Sequence, residues 1–153
     1  MKPYTISSLL PTHLCGVAEL ERLCFAEPWS QNALALLLQD ANVGIVALDE
    51  NGTPIGYGGL LTVLDEGQVT NIAVRPDHRG MGVGRAILEQ LITESKARGI
   101  HEISLEVRAS NLPAISLYQS RGFTTAGVRK GFYRHPTEDG LVMILSTEST
   151  VNA

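Results

Sequence analysis

The chain predicts a single-domain α/β fold, a mixed sheet of about seven strands with about four helices, and three observations carry that expectation. The first is the stretch Gln68 to Leu91, where an apolar strand runs into a glycine-rich loop and then into an amphipathic helix. The second is His101 to Arg108, which alternates so that Ile103, Leu105 and Val107 share one face while Glu102, Ser104, Glu106 and Arg108 share the other. The third is size: 153 residues, 44% hydrophobic and 18% charged, without repeats or low-complexity tracts, suit one core rather than two. The expected domain covers residues 1–147, with 148–153 a polar, frayed tail.

In chain order, Tyr4 to Leu9 forms a first strand, and Pro11-Thr12 starts a helix in which Leu14, Val17, Ala18 and Leu20 recur at helical spacing to about Phe25. Pro28 breaks it, and Ser30 can cap a second helix from Gln31 to Gln39. Val43 to Leu48 and Ile55 to Leu64 are strands joined by the turn Asp49 to Gly52. Asp65-Glu66-Gly67 turns the chain into Val69 to Val74, giving three antiparallel strands before the glycine loop. The following helix presents Val83, Ile87, Leu88, Leu91 and Ile92 on one face and ends at Arg98-Gly99, a basic last turn followed by glycine. After the strand His101 to Arg108, Asn111 caps a helix with Pro113 in its first turn, and Arg121-Gly122 closes it. Thr124 to Tyr133 and Leu141 to Leu145 are the last strands.

A strand, a glycine loop and a helix in succession make an anion site, because the first-turn N–H groups have no intrahelical partner and missing Cβ atoms let phosphate approach the backbone. Spacing excludes two common ligands. A Walker loop needs Gly-Lys-Ser/Thr where this chain has Gly84-Arg85-Ala86, and a dinucleotide fingerprint counted from Gly80 needs glycine where Arg85 stands. Arg79-x-x-Gly82-x-Gly84, after an Ile72-Ala73-Val74 strand end and the Pro76 turn, resembles the pyrophosphate loop of the GNAT superfamily of N-acetyltransferases. The element order matches that superfamily as well. The resemblance implies acetyl-CoA as co-substrate and a sheet whose fourth and fifth strands splay apart, leaving backbone amides and carbonyls for the pantetheine arm.

Composition narrows the remaining classes. Cys15 and Cys24 lie nine residues apart on one expected helix, on opposite faces, so they form neither a disulfide nor half of a metal site, and no metal is expected. A net charge of −4 leaves no electrostatic footprint for nucleic acid. The first residues have no apolar leader region and no run has the length of a membrane span, so the expectation is a cytoplasmic protein without a membrane partner.

Acetyl transfer to an amine needs a neutral amine, a polarised thioester and an acceptable thiolate. Glu106, on the polar face of the fifth strand, is the candidate base, acting through a water, and Tyr118 on the following helix is the candidate donor at sulfur. A thiol near 8.5 is a stronger acid than a tyrosine near 10, so full proton transfer from Tyr118 would be uphill by about 2 kcal/mol. On spacing alone a residue like Glu106 is more often a solvated strand residue, and one like Tyr118 more often a core residue with its hydroxyl at the rim. Arg108 either pairs with Glu106 or stays solvated.

A narrower resemblance covers nearly the whole chain. Glu106-Val107-Arg108-Ala109-Ser110-Asn111, then Leu117-Tyr118 and Gly122-Phe123, together with Pro28-Trp29-Ser30 and Asn71-Ile72-Ala73-Val74, resemble the bacterial ribosomal-protein-alanine N-acetyltransferase family. The resemblance implies Glu106 as proton acceptor and Tyr118 as proton donor. It implies cofactor contacts at Ile72, Ala73 and Val74, at Arg79, Gly80, Met81, Gly82, Val83, Gly84 and Arg85, and at Asn111, which also reads as a plain helix cap. The acceptor would be a protein or peptide N-terminus, that of a ribosomal protein, with Trp29 and Tyr133 as candidate substrate-binding residues and Leu34 as a wall or core residue. The family's Tyr-Tyr pair is Phe132-Tyr133 here, and the stretch Glu138 to Leu141 also departs, which bears on acceptor preference.

The amine supplies a physical argument in the same direction. An α-amine near 8 is roughly a tenth neutral at pH 7, whereas a lysine near 10.4 costs about 3 kcal/mol more to deprotonate. The alternatives are an acetyltransferase for lysine side chains or small amines, a non-catalytic acyl-CoA sensor and, last, a nucleotide-binding module.

Overall fold

A computed structural model of the chain describes residues 3–147; the expected frayed tail, 148–153, lies outside the described residues. Seven strands form one sheet in the order β1-β2-β3-β4-β5-β7-β6, where β1 is Thr5–Ser8, β2 Val43–Leu48, β3 Pro54–Val63, β4 Glu66–Val74, β5 Glu102–Arg108, β6 Thr124–Tyr133 and β7 Glu138–Ser146. The helices are α1 (Leu14–Cys24), α2 (Gln31–Leu34), α3 (Val83–Ala97) and α4 (Leu112–Ser120). Every neighbouring pair is antiparallel except β4 with β5.

The periodicities explain which faces are covered. Val83, Ile87, Leu88 and Leu91 are all but fully buried and press α3 onto one face of the sheet. Gly58 of β3 admits the helix, since a Cβ there would stand 2.6 Å from Ile87. Ile103, Leu105 and Val107 of β5 join this core. On the opposite face Val17, Ala18 and Leu20 of α1 pack with Leu34 and Leu37 against Val46 and Tyr57.

Three elements differ in detail from the expectation. The second helix is one α-turn that tightens into a 3-10 turn over Ala35–Leu38, because its buried leucines, Leu34 and Leu37, are three residues apart, the period of a 3-10 helix. Leu34 is fully buried, a core residue and not a groove wall. The turn before β4 is tighter than Asp65 to Gly67: Val63 pairs directly with Glu66, so Leu64 and Asp65 turn the chain, with Leu64 at φ 56° as two-residue hairpins require. β7 begins three residues early, at Glu138, because its side chain is tied to β5. Among the described residues no helix is long and apolar enough to cross a membrane.

Candidate active site

The parallel pairing of β4 with β5 lasts for only three residue pairs, Glu66 with Glu102, Gly67 with Ile103 and Gln68 with Ser104. Beyond them the two strands part, so Val69–Val74 and Leu105–Arg108 face each other across an opening and present backbone groups without a partner on the facing strand. Two cavities occupy this opening.

The first, of about 510 Å³, is lined by the end of β4, the glycine loop and α4. Gly80 and Gly82 both sit at φ 81°, a region that costs other residues about 1–2 kcal/mol, and Gly82 is the N-cap of α3. The loop thereby turns the unpaired N–H groups of the helix start toward the cavity, and Gly84 in the first turn leaves room above Val74 and Leu117. Ile72, Ala73, Val74, Arg79, Gly80, Gly82, Val83, Gly84, Arg85, Asn111 and Tyr118 all line this cavity; Met81 is exposed and does not. The Asn111 side-chain oxygen caps α4 by accepting from Ala114 N–H at 3.3 Å, which leaves its NH₂ group for another partner. Open strand edges, a cluster of helix-start N–H groups and two cationic side chains, Arg79 and Arg85, fit a long ligand carrying amides at one end and phosphates at the other.

The second cavity, of about 690 Å³, lies between the α1–α2 segment, the polar face of β5 and the β6–β7 hairpin. Glu106, Trp29 and Tyr133 line it. Cys24, Phe25 and Asn111 line both cavities, so the two meet there.

Glu106 has two partners that sequence reasoning missed. Gln68 donates its amide to Oε1 at 3.0 Å, and Arg129 Nε stands 3.3 Å from Oε2. Gln68 was findable, since it shares a sheet face with Glu106 near the last paired position; Arg129 comes from the far edge strand, which only the strand order places. Arg108 takes neither of its expected courses. It pairs with Glu138 at 3.2 Å and donates to the carbonyls of Pro136 and Arg134 at 2.9 and 2.8 Å. Hydrogen bonds from Ser110, with Arg108 behind them, hold the Glu138 carboxyl below its ordinary range.

The two tyrosines are perturbed in the same sense. Burial, and after it the Tyr133 phenol, pushes Tyr118 up to about 12. Burial and then the charge of Glu106 push Tyr133 up to about 12 against the pull of Arg108. The charge of Glu106 thus acts on Tyr133, and Tyr133 in turn on Tyr118, across the junction. Burial also pushes the Cys24 thiol up, although Arg79 opposes it, and that thiol lies 3.5 Å from the Val74 carbonyl, where Arg79 Nε also donates at 3.0 Å. Among the described residues no group of three His, Cys, Asp or Glu side chains is placed to hold a metal ion.

Comparison with known proteins bears on the family and the fold. The family model described as Acetyltransferase (GNAT) family matches residues 14–123. The [ribosomal protein bS18]-alanine N-acetyltransferase of Escherichia coli is 43% identical over 136 residues, 89% of this chain and 90% of that protein. A Bacillus subtilis relative, named a putative enzyme of the same kind, is 34% identical over 83% of this chain and 85% of its own length. The crystal structure of the ribosomal-protein-S18-alanine N-acetyltransferase from Escherichia coli superposes with a TM-score of 0.88 at 38% identity, covering 96% of each chain. The Ard1 protein of Thermoplasma volcanium superposes at 0.86 over 96% of this chain and 99% of its own, with 21% identity, a likeness of fold.

Proposed function

The chain belongs to the acetyltransferase (GNAT) family, and from that premise we propose that it acetylates a polypeptide N-terminus, an N-terminal alanine of a ribosomal protein, with acetyl-CoA as co-substrate in the cytoplasm. The observation that carries this reading is the meeting of two cavities at Cys24, Phe25 and Asn111, with Glu106 in one and Tyr118 in the other. One cavity suits a long amide- and phosphate-bearing ligand, and the other, open between two chain segments, suits a flexible peptide end.

Bound acetyl-CoA supplies a thioester acetyl group. The α3 N-terminus from Gly80 to Arg85 holds its phosphates through backbone N–H groups, and the open edge of β4 at Ile72, Ala73 and Val74 holds its amides. Glu106 takes the first proton from the incoming ammonium, through a water; the neutral nitrogen then bonds to the acetyl carbon as the carbon–sulfur bond breaks, the sulfur leaves as thiolate, and the second proton on nitrogen passes through the water to solvent. Gln68 fixes one carboxylate oxygen, while Arg129, largely exposed, shares the other weakly, as exposed ion pairs do at about 1 kcal/mol or less. Tyr133 borders the acceptor. Tyr118, kept protonated by burial, donates a hydrogen bond to sulfur; against a thiol near 8.5, full proton transfer from a phenol at about 12 would be uphill by about 5 kcal/mol. A raised Cys24 thiol is a poor nucleophile at neutral pH, which supports direct attack by the amine over an acyl-cysteine route.

The test is intact-mass and fragment spectrometry of peptides with free Ala, Ser, Met or Gly N-termini, each carrying an internal lysine, incubated with protein and acetyl-CoA. An acetyl shift confined to the α-amine, strongest for alanine, is expected. Shifts on lysine would transfer the activity to side chains. Tight acetyl-CoA binding without any shift would leave a small-amine enzyme or an acyl-CoA sensor.

A further inference from the structure

Glu21 in the last half of α1 is fully buried, and the mechanism above does not use it. Its Oε1 accepts from the backbone N–H of Trp29 at 2.7 Å, and its Oε2 accepts from Asn71 Nδ2 at 2.9 Å and from the Tyr57 hydroxyl. Among the described residues no lysine, arginine or histidine lies within ion-pair distance of it, so three neutral donors alone hold the carboxylate. The same charge, after burial, raises the Tyr57 phenol, which keeps it a donor.

These donors come from the segment after α1 and from the paired strands β3 and β4, and Glu21 is where the segment is hydrogen-bonded to that pair of strands. Trp29 belongs to the segment after α1 that forms one side of the acceptor cavity, and Asn71 stands on β4 just past the last pairing with β5; both line that cavity. Tyr57 lies in the core of β3 and lines neither cavity. Among the described residues, the Trp29 bond is the only hydrogen bond from the backbone of residues 26–29 to the rest of the protein. Pro28 within the segment has no N–H to offer. Trp29 also packs against the core beside Leu34 and Tyr57, so this bond is the segment's one polar tether and fixes where its backbone stands relative to β4.

We infer that Glu21 is a positioning residue for the acceptor: through Trp29 and Asn71 it sets the width of the groove that receives the amine-bearing chain end. This inference rests on the reading of that cavity as the acceptor site. A glutamine at position 21 keeps the shape but has only one acceptor oxygen for three donors, so either the Trp29 tether or the Asn71–Tyr57 side is left unmatched.

Trp29 is the sole tryptophan, so its fluorescence reports the tether directly. The experiment compares wild type, Glu21→Gln and Tyr57→Phe for acetyl-CoA dissociation constant, acceptor-peptide KM and kcat, Trp29 emission and Tm. Glu21→Gln is expected to raise the acceptor KM by about tenfold or more and to shift Trp29 emission, with acetyl-CoA affinity within twofold of wild type. Tyr57→Phe, which removes a donor outside the groove, is expected to lower Tm and leave the acceptor KM unchanged. Equal losses of Tm in the two variants, with acceptor KM and Trp29 emission as in wild type, would overturn the inference and make Glu21 a stability residue only. Should Glu21→Gln not fold, Glu21→Asp, which keeps the charge but withdraws it by one methylene, carries the same expectations. A wild-type protein that acetylates no α-amine would overturn the acetylation reading first, and this inference with it.

Discussion

The guanidinium of Arg108 stands 4.7 Å from the centroid of the Tyr133 ring, so the strand that carries Glu106 also carries, two residues on, the clamp for the opposite side of the acceptor cavity. Its two nitrogens hold the carbonyls of Pro136 and Arg134 as well as Glu138, and only a planar fork reaches all three at once. Arg108→Lys keeps the charge and loses the fork. Steady-state kinetics should show the acceptor KM raised by about tenfold, the equivalent of one or two charge-assisted hydrogen bonds, with acetyl-CoA affinity unchanged. An unchanged KM would mean that the hairpin holds its place without Arg108.

Glu106 and Tyr118 should respond unequally to removal. A general base contributes about 10²- to 10⁴-fold, so Glu106→Gln should lower the single-turnover rate by at least a hundredfold while acetyl-CoA still binds. Tyr118, pushed up to about 12, supplies a hydrogen bond and not a proton, and Tyr118→Phe should cost about tenfold. Equal losses in the two variants would argue that the phenol transfers its proton after all.

The difference between those two residues also marks what could be read from the chain alone. The placement of Glu106 on the polar face of β5 and of Tyr118 in α4 was legible because each sits in a strong local pattern, a half-buried strand with period two and a helix with a clear cap and stop. So were the three strands before the glycine loop, whose turns are local. Arg129 and Glu138 were not, since their partners Glu106 and Arg108 are reached only when β7 inserts between β5 and β6. Glu21 was hidden for a different reason: on α1 it falls within the apolar face, and a carboxylate there reads as a helix-flank residue until Tyr57 and Asn71 converge on it.

Two glycines at the start of α3 separate conformation from space. Gly82 needs its φ of 81°, so Gly82→Ala should lower both Tm and acetyl-CoA affinity. Gly84 has no such need, and a Cβ there meets Val74 at 3.5 Å and Leu117 at 3.8 Å, ordinary contacts. Gly84→Ala should therefore fold at least as stably as wild type, by up to about 1 kcal/mol of helix propensity, yet bind acetyl-CoA more weakly by calorimetry, because the added methyl occupies the approach to the helix N-terminus. Wild-type affinity in Gly84→Ala would remove the helix start from the cofactor site.

Alkaline behaviour follows from the buried phenols. Tyr118 and Tyr133 are both pushed up to about 12, and Tyr57 is raised further by burial and the Glu21 charge. In the unfolded chain a tyrosine ionises near 10, so above that pH the unfolded state loses protons that the folded state retains. The stability these groups contribute is therefore whole below about pH 10 and is lost as pH rises toward about 12. Urea unfolding followed by Trp29 fluorescence at about pH 8 and about pH 11 should show a falling midpoint. Tyr118→Phe, which cannot ionise, should reduce the drop at about pH 11, by about 1.4 kcal/mol at most for this well-buried group. The rate of acetylation should meanwhile climb with pH through the amine's own ionisation near 8 and keep its plateau until the fold gives way. A descending limb between about pH 8 and about pH 10, with the protein still folded, would mean that Tyr118 ionises like an exposed phenol or that another acid serves the thiolate.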